Sequence, residues 1–319
     1  MGGRGWVGVA AMIRIGVDLG GTKIEAIAID ERGRELLRQR VPTPQAEYRA
    51  TVETVRGLVA GLEAALGGER AQVGVGTPGS ISPTTGLIRN ANSTRLNGHP
   101  LGVDLAAALG REVRVANDAN CFALSEAVDG SGTGFRTVFG IILGTGVGGG
   151  LVHEGRLWTG VNAIEGEWGH NEMPGRTEAG LPPTRCYCGR AGCIETYLCG
   201  SGLAEDHARV CAEAIDAPEI ARRAGHGDAQ AVATLARYCN RLAGALSVVV
   251  NIVDPAVIVI GGGLSNIDAI YAAVAALLPR HVFSDRCTTP IVKNHHGDSS
   301  GVRGAAWLWP PAGATEATT

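Results

Sequence analysis

Residues 13–30, IRIGVDLGGTKIEAIAID, form two apolar, β-rich runs interrupted by the small residues Gly20-Gly21-Thr22, which is the chemistry of a tight hairpin. RGRELLRQRVPTP adds another strand. Between 47 and 66 the apolar side chains Val52, Val55, Leu58, Val59, Leu62 and Leu66 recur at intervals of three and four, which predicts an amphipathic helix. QVGVGTPGSI reads as a buried strand, 101–110 as a helix, 112–116 as a short strand, and Ala119–Val128 as a helix with Asp118 near its N-terminus. A second strand-turn-strand unit, TVFGIILGTGVGGGLVH at 137–153, repeats the architecture of 13–30. Residues 201–253 are alanine-rich and helical, and AVIVIGGG at 256–263 is a buried strand whose glycines can open a helix at Asn266. Strands alternate with helices, the pattern of an α/β protein.

Composition narrows the partners. The 319 residues are 45% apolar and 18% charged, with a net charge of −3, so there is no basic face for nucleic acid or an anionic membrane. The longest apolar runs, Leu246–Val250 and Ala256–Ile260, fall far short of the ~20 residues that span a bilayer. The start, MGGRGWVGVAAM, runs directly into strand-like sequence and does not read as a signal peptide. Residues 1–12 and 311–319 are expected to be flexible ends. Eight cysteines, three of them in CYCGRAGC, suit a metal knuckle in a reducing compartment better than a disulfide framework, and the expected location is the cytoplasm. Glycine, at 48 residues, implies many tight turns and close backbone approaches.

Three glycine-rich bends follow buried strands: Gly20-Gly21-Thr22-Lys23, Gly144-Thr145-Gly146 and onward to Gly150, and Gly261-Gly262-Gly263. Such bends present backbone N–H groups to anions without obstruction, and Thr22 and Thr145 add hydroxyls, so together they could cradle a nucleotide. The alternative is three tight turns. Asp18, just before the first bend, could hold Mg²⁺ against phosphates. Gly144–Gly149 also matches G-x-G-x-x-G, but the chain continues as a strand where a dinucleotide fold needs a helix, which argues against an oxidoreductase.

Asp118, in VANDANCFALSEA, sits after a strand and at a helix start, where it could accept a hydroxyl proton or simply cap the helix. His170, Cys186, Cys188 and Cys193 offer four ligands in the order H-x15-C-x-C-x4-C, and Gly189 and Gly192 allow a tight fold around an ion. Four protein ligands point to a structural Zn²⁺ that fixes the loop 167–195. Cys121, Cys199, Cys211, Cys239 and Cys287 lack such spacing and read as core or surface thiols. Glu167 and Glu195 flank that loop, where carboxylates suit a polyhydroxyl ligand, and Asn90 and Asn92 in RNANSTRLNG either read sugar hydroxyls or belong to a solvated loop.

DLGGTK at 18–23, NDAN at 117–120, LGTGVGGG at 143–150, GEWGH at 166–170, CYCGRAGCIE at 186–195 and VIGGG at 259–263 together resemble the ROK family of sugar kinases, over nearly all of 13–310. GTPGSISPTTGLIRNANSTRLNGHPL and HGDSSGVRGAAWLWP look most like bacterial manno(fructo)kinases, whereas CFALSEA and LGTGVGGGL also look like N-acetylglucosamine kinases.

The resemblance implies an actin-like (ribonuclease H-like) ATPase fold, with two α/β domains around an interdomain cleft. The expected domains are 13–130, with a C-terminal helix at about 300–310 packing back on it, and 131–299, which carries the zinc loop. It implies ATP-dependent phosphorylation of a hexose at its 6-hydroxyl, D-fructose first, with N-acetylglucosamine, glucose or mannose as alternatives. By this resemblance Asp118 is the general base, and Gly79, Asn92, Asn117, Asp118, Glu167, His170 and Glu195 hold the sugar. Asp18, Gly20, Gly21, Thr22, Lys23, Gly144, Thr145 and Gly146 lie on the phosphate side with Mg²⁺, and Gly261, Gly262 and Gly263 lie near the adenosine. His170 would serve both zinc and sugar. The resemblance also implies a homodimer. Some relatives are sugar-responsive transcriptional regulators with an added helix-turn-helix, for which the twelve residues before the first strand leave no room.

Overall fold

The computed structural model describes residues 12–45, 47–91, 93–177 and 179–310. Asn92 and the expected flexible ends, save Met12, lie outside the described residues. The chain begins with β1 (Arg14–Leu19), β2 (Lys23–Ile29), β3 (Glu35–Pro42), α1 (Tyr48–Ala65) and β4 (Gln72–Thr77). A small hairpin of β5 (Ser80–Ile81) and β6 (Ile88–Arg89) follows, then α2 (Leu101–Leu109), β7 (Val113–Asn117) and α3 (Asp118–Asp129). Next come β8 (Thr137–Leu143), β9 (Val147–His153), β10 (Arg156–Leu157), α4 (Glu195–Leu198), α5 (Gly200–Cys211), α6 (Ala217–Gly225) and α7 (Ala229–Val253). The chain closes with β11 (Val257–Gly261), α8 (Ala269–Leu277), β12 (Ile291–Lys293) and α9 (Ser300–Trp307). Among the described residues no helix is long and apolar enough to cross a membrane.

Two compact units result. The first holds the described residues up to Cys121 and from Gly301, and the second holds Phe122–Ser300, so the division falls within α3. The first unit's sheet has the order β3-β2-β1-β4-β7, the second's β10-β9-β8-β11-β12. In both, the first three strands are antiparallel and the last two run parallel to the central one. The architectural repeat expected from the two glycine-rich hairpins is thus a repeat of whole sheets.

In the first unit, alternate positions of a strand face opposite layers. Ile15, Val17, Leu19, Val73 and Val75 join Val52, Val55, Val59 and Leu62 of α1 in one buried cluster. The intervening positions are Gly16 and Gly74, and the C-terminal helix α9 lies directly on them. A Cβ at Gly16 would stand 2.0 Å from the Val302 carbonyl oxygen, and one at Gly74 1.8 Å from that of Ala305. Only bare backbone allows the helix this close. Asp18 follows on the same strand face, and Gly301 at the start of α9 lies beside its carboxylate.

The apolar run 72–81 is not one strand. β4 stops at Thr77 because Pro78 has no N–H for the ladder and Gly79 turns the chain at φ 76°. A Cβ at Gly79 would stand 2.3 Å from the Arg89 carbonyl oxygen, so the turn requires glycine. After β11 the glycines open a single 3₁₀ turn, Gly263–Asn266, before α8 begins at Ala269.

The second unit is organised by α7, which is buried along one stripe from Ala231 to Cys239 and on all sides from Leu242 to Ser247. Asp228 caps its start by accepting from the Ala231 N–H at 2.8 Å. The long segment between β10 and α7 carries the groups described next.

Candidate active site

In the first unit, β1 and β7 end side by side with β4 between them, so Asp18 and Asn117-Asp118 emerge at the same edge of the sheet. Asn117 locks this edge. Its Nδ2 donates to the Gly79 carbonyl at 3.0 Å, and its Oδ1 accepts from the Ala119 N–H at 2.8 Å. Asp118 Oδ1 shares that Ala119 N–H at 2.8 Å. Capping of α3 therefore does not depend on Asp118 alone, which leaves room for a chemical role.

Asp18 is paired across the hairpin with Glu25, itself buried and bonded to Arg38 and Arg40. Burial, with help from the Asp118 and Glu25 charges against the opposing Lys23 charge, pushes the Asp18 carboxyl up to about 7. A cation beside it would relieve that cost, and Mg²⁺, which takes one or two carboxylates, suits Asp18. Cys121, the next residue inward, is fully buried, and burial followed by the same two carboxylates raises its thiol well above the ordinary range. It is a core thiol.

In the second unit the bend between β8 and β9 is tied at both ends. The Gly144 N–H donates to Gly146 O at 3.0 Å, and the Gly200 N–H at the start of α5 donates to Gly144 O at 2.8 Å. Gly262 has φ 80°, and a Cβ at Gly261 would strike the Phe122 ring at 2.3 Å, so these two glycines serve packing. Gly144, Thr145 and Gly263 line a cavity of about 740 Å³. Its opposite wall includes Ser201, Pro218 and Ile267. The first two sit at helix starts, which the D-A-P-E sequence of α6 announces as a cap, though nothing in it announces a pocket wall. Thr22 and Lys23 belong to the first unit and are not among the residues lining this cavity.

Glu195, at the first turn of α4, holds the second bend in place. Its Oε2 accepts from the Val147 N–H at 3.0 Å, and Cys186 Sγ donates to Oε1 at 3.6 Å. A side chain at Gly146 would meet this carboxylate at 2.7 Å. His170, Cys186, Cys188 and Cys193 converge, their ligand atoms all within 4.8 Å of one another. Short bridges between Glu172 and Cys193 and between Arg185 and Ala191 fold the loop back on itself. Tetrahedral zinc, with Zn–S about 2.3 Å and Zn–N about 2.0–2.1 Å, sets ligand-to-ligand edges of about 3.5–3.8 Å. Cys186 Sγ to His170 Nδ1 is 3.5 Å and Cys188 Sγ to Cys193 Sγ is 3.6 Å. Burial pushes the Cys186 thiol up to about 12. At Cys188 burial is outweighed by hydrogen bonds from Arg190, Cys186 and Cys193, which hold it down to about 6. The cluster fits the ion in both spacing and donor set.

His170 Nδ1 faces this cluster, so Nε2 faces away, 3.9 Å from Glu167 Oε2 and 3.0 Å from the Tyr187 hydroxyl. Tyr187 was not singled out by the sequence, because one aromatic residue between two cysteines carries no periodic or motif signal. Glu167, His170 and Glu195 thus gather around one loop.

The ROK family profile matches residues 14–312. An N-acetyl-D-glucosamine kinase of Escherichia coli strain HS is 46% identical over 298 residues, covering 92% of this chain and 98% of its own. The crystal structure of a ROK hexokinase from Thermus thermophilus superposes with a TM-score of 0.80 at 30% identity, covering 92% of this chain and 97% of that one. A ROK glucokinase from Streptomyces griseus, in complex with glucose and AMPPNP, has a TM-score of 0.76 at 28% identity, covering 93% and 98%. Their fold is the actin-like ATPase fold, and the paired sheets described above have its mixed α/β layout. The chain belongs to the ROK family and is an ATP-dependent sugar kinase of that family.

Proposed function

We propose that the protein transfers the γ-phosphoryl group of ATP to the 6-hydroxyl of N-acetyl-D-glucosamine. The observation that carries this choice of sugar is the 46% identity, over 92% of the chain, to a kinase named for that sugar. Local segments alone had favoured D-fructose.

In this reading Asp118 accepts the proton of the 6-hydroxyl as the bond to phosphorus forms, a contribution of ~10²–10⁴-fold. Asn117 and Gly79 fix the edge on which Asp118 stands, through the 3.0 Å amide bond. Glu167, His170 and Glu195 grip sugar hydroxyls, with Asn92 as an additional partner. The Gly144–Gly146 bend takes the phosphates, and the cavity reaching Gly263 takes the adenosine. Its lining, largely glycine and apolar side chains, suits a purine ring and ribose. Gly20, Gly21, Thr22 and Lys23 lie on the phosphate side of the first unit. Asp18 would hold Mg²⁺, which when bound neutralises phosphate charge during a loose, positioning-dominated transfer.

His170, Cys186, Cys188 and Cys193 would hold a structural Zn²⁺, which when bound supplies rigidity rather than an activated water. Held in this way, His170 would turn its imidazole Nε2 to the sugar, while Glu195 would stay at the bend through its bond from the Val147 N–H. The protein would act as a cytoplasmic homodimer.

The test is identification of the product by phosphorus and carbon NMR after incubation with ATP, Mg²⁺ and N-acetylglucosamine. The expected product is the 6-phosphate. Absence of any sugar phosphate, or phosphate on another oxygen, contradicts the reading.

A further inference from the structure

Tyr187 raises a question that the proposed sugar grip does not answer. An imidazole offers two ring nitrogens, and one whose Nδ1 is turned to a cysteine cluster has only Nε2 left to meet a ligand. At His170, Nδ1 is 3.5 Å from Cys186 Sγ, and Nε2 is 3.0 Å from the Tyr187 hydroxyl. The two rings meet edge to face, with centroids 5.2 Å apart and planes at 82°. The ring nitrogen that would meet a sugar hydroxyl is therefore already engaged by another hydroxyl.

Glu167, assigned above to the sugar, has its Oε2 3.9 Å from the same His170 Nε2. Tyr187 is 67% exposed, so solvent borders the ring whose hydroxyl meets His170.

We infer that Tyr187 is a built-in stand-in for a sugar hydroxyl: its phenol occupies Nε2 of His170 in the sugar-free protein and is displaced when the sugar binds. This rests on the assignment of His170 to the sugar. Tyr187 then competes with the sugar for His170 Nε2 and so sets the sugar affinity. Removing the hydroxyl removes a competitor, whereas a bridging role between His170 and the sugar would give the opposite sign.

The test is Tyr187→Phe, which keeps the ring and its edge contact with His170. Zinc content and thermal stability are measured first and are expected to match the parent protein. The KM is then compared for whichever hexose the parent phosphorylates best, and sugar binding without ATP is followed by calorimetry. Displacement of one neutral hydrogen bond predicts a KM and a calorimetric Kd about three- to tenfold lower, with kcat within about twofold. A KM and Kd that are unchanged or raised overturn the inference. If the parent protein phosphorylates no hexose, the kinase reading fails by itself. Calorimetry then decides about Tyr187 alone, since tighter sugar binding supports the stand-in and equal or weaker binding overturns it.

Discussion

The two sheets share one strand order, but the two units use it for different chemistry. In the first, the groups assigned to the chemistry stand at strand ends in the proposed reading: Asp18 is the last residue but one of β1, and Asp118 follows β7 without an intervening loop. In the second, the strand ends carry only glycine bends, and the polar side chains come from the long insertion between β10 and β11, where Glu167, His170, the cysteines and Glu195 lie. The difference teaches where precision comes from. A carboxylate on a strand end is aimed by the ladder itself, whereas side chains on a loop need an added constraint, which in the proposed reading a metal held by the His/Cys cluster would supply.

The largest effect is expected at the strand-borne group. Asp118→Asn should leave the fold and sugar affinity intact while kcat drops by ~10²–10⁴-fold, as measured by coupled ADP release and calorimetry. Turnover within tenfold of the parent would mean that Asp118 is only a helix cap. The loop-borne groups should respond differently: Cys193→Ser is expected to lose the metal and raise the sugar KM by about tenfold or more, with a smaller change in kcat. Metal analysis beside the kinetics checks this, and retained affinity in a metal-free variant would break the contrast between the units.

Smaller effects should appear in stability. Gly74→Ala forces a methyl group against the Ala305 carbonyl and should cost ~1–3 kcal/mol in denaturant unfolding. The same change at Gly160, whose added Cβ would meet nothing within 4 Å, should cost much less. Asp18 gives a pH signature. Its carboxyl titrates at about 7 in the folded chain against an ordinary value of 3.8, so the free protein gains from the neutral form at low pH and loses that gain as pH rises through about 7. Asp18→Asn should therefore raise the melting temperature of the ligand-free protein most at pH 8 and hardly at all near pH 4. Parallel melting curves at every pH would show that the buried charge is compensated.

Much of this layout can be read from side-chain order, because local rules and packing agree there. The hairpin at Gly20–Thr22 and the helix carrying Val52 to Leu62 follow the local pattern, and the four residues of the His/Cys spacing come together. Where the reading falls short, the determinant is not local. Pro78 and Gly79 split an apolar run because a backbone 10 residues away approaches too closely for a side chain. Pro218 and Ile267 become cavity walls through tertiary packing that no spacing encodes. Tyr187 matters only because folding brings its hydroxyl to His170. The preferred sugar depends on single hydroxyl and acetamido contacts, which motif residues common to several sugar kinases do not distinguish.

The most direct measurement is the ratio of kcat/KM values for N-acetylglucosamine, D-glucose, D-mannose and D-fructose with ATP and Mg²⁺, using protein of known zinc content. The account predicts that N-acetylglucosamine is preferred by at least an order of magnitude over each of the others. A preference for D-fructose, or equal use of all four, would contradict it.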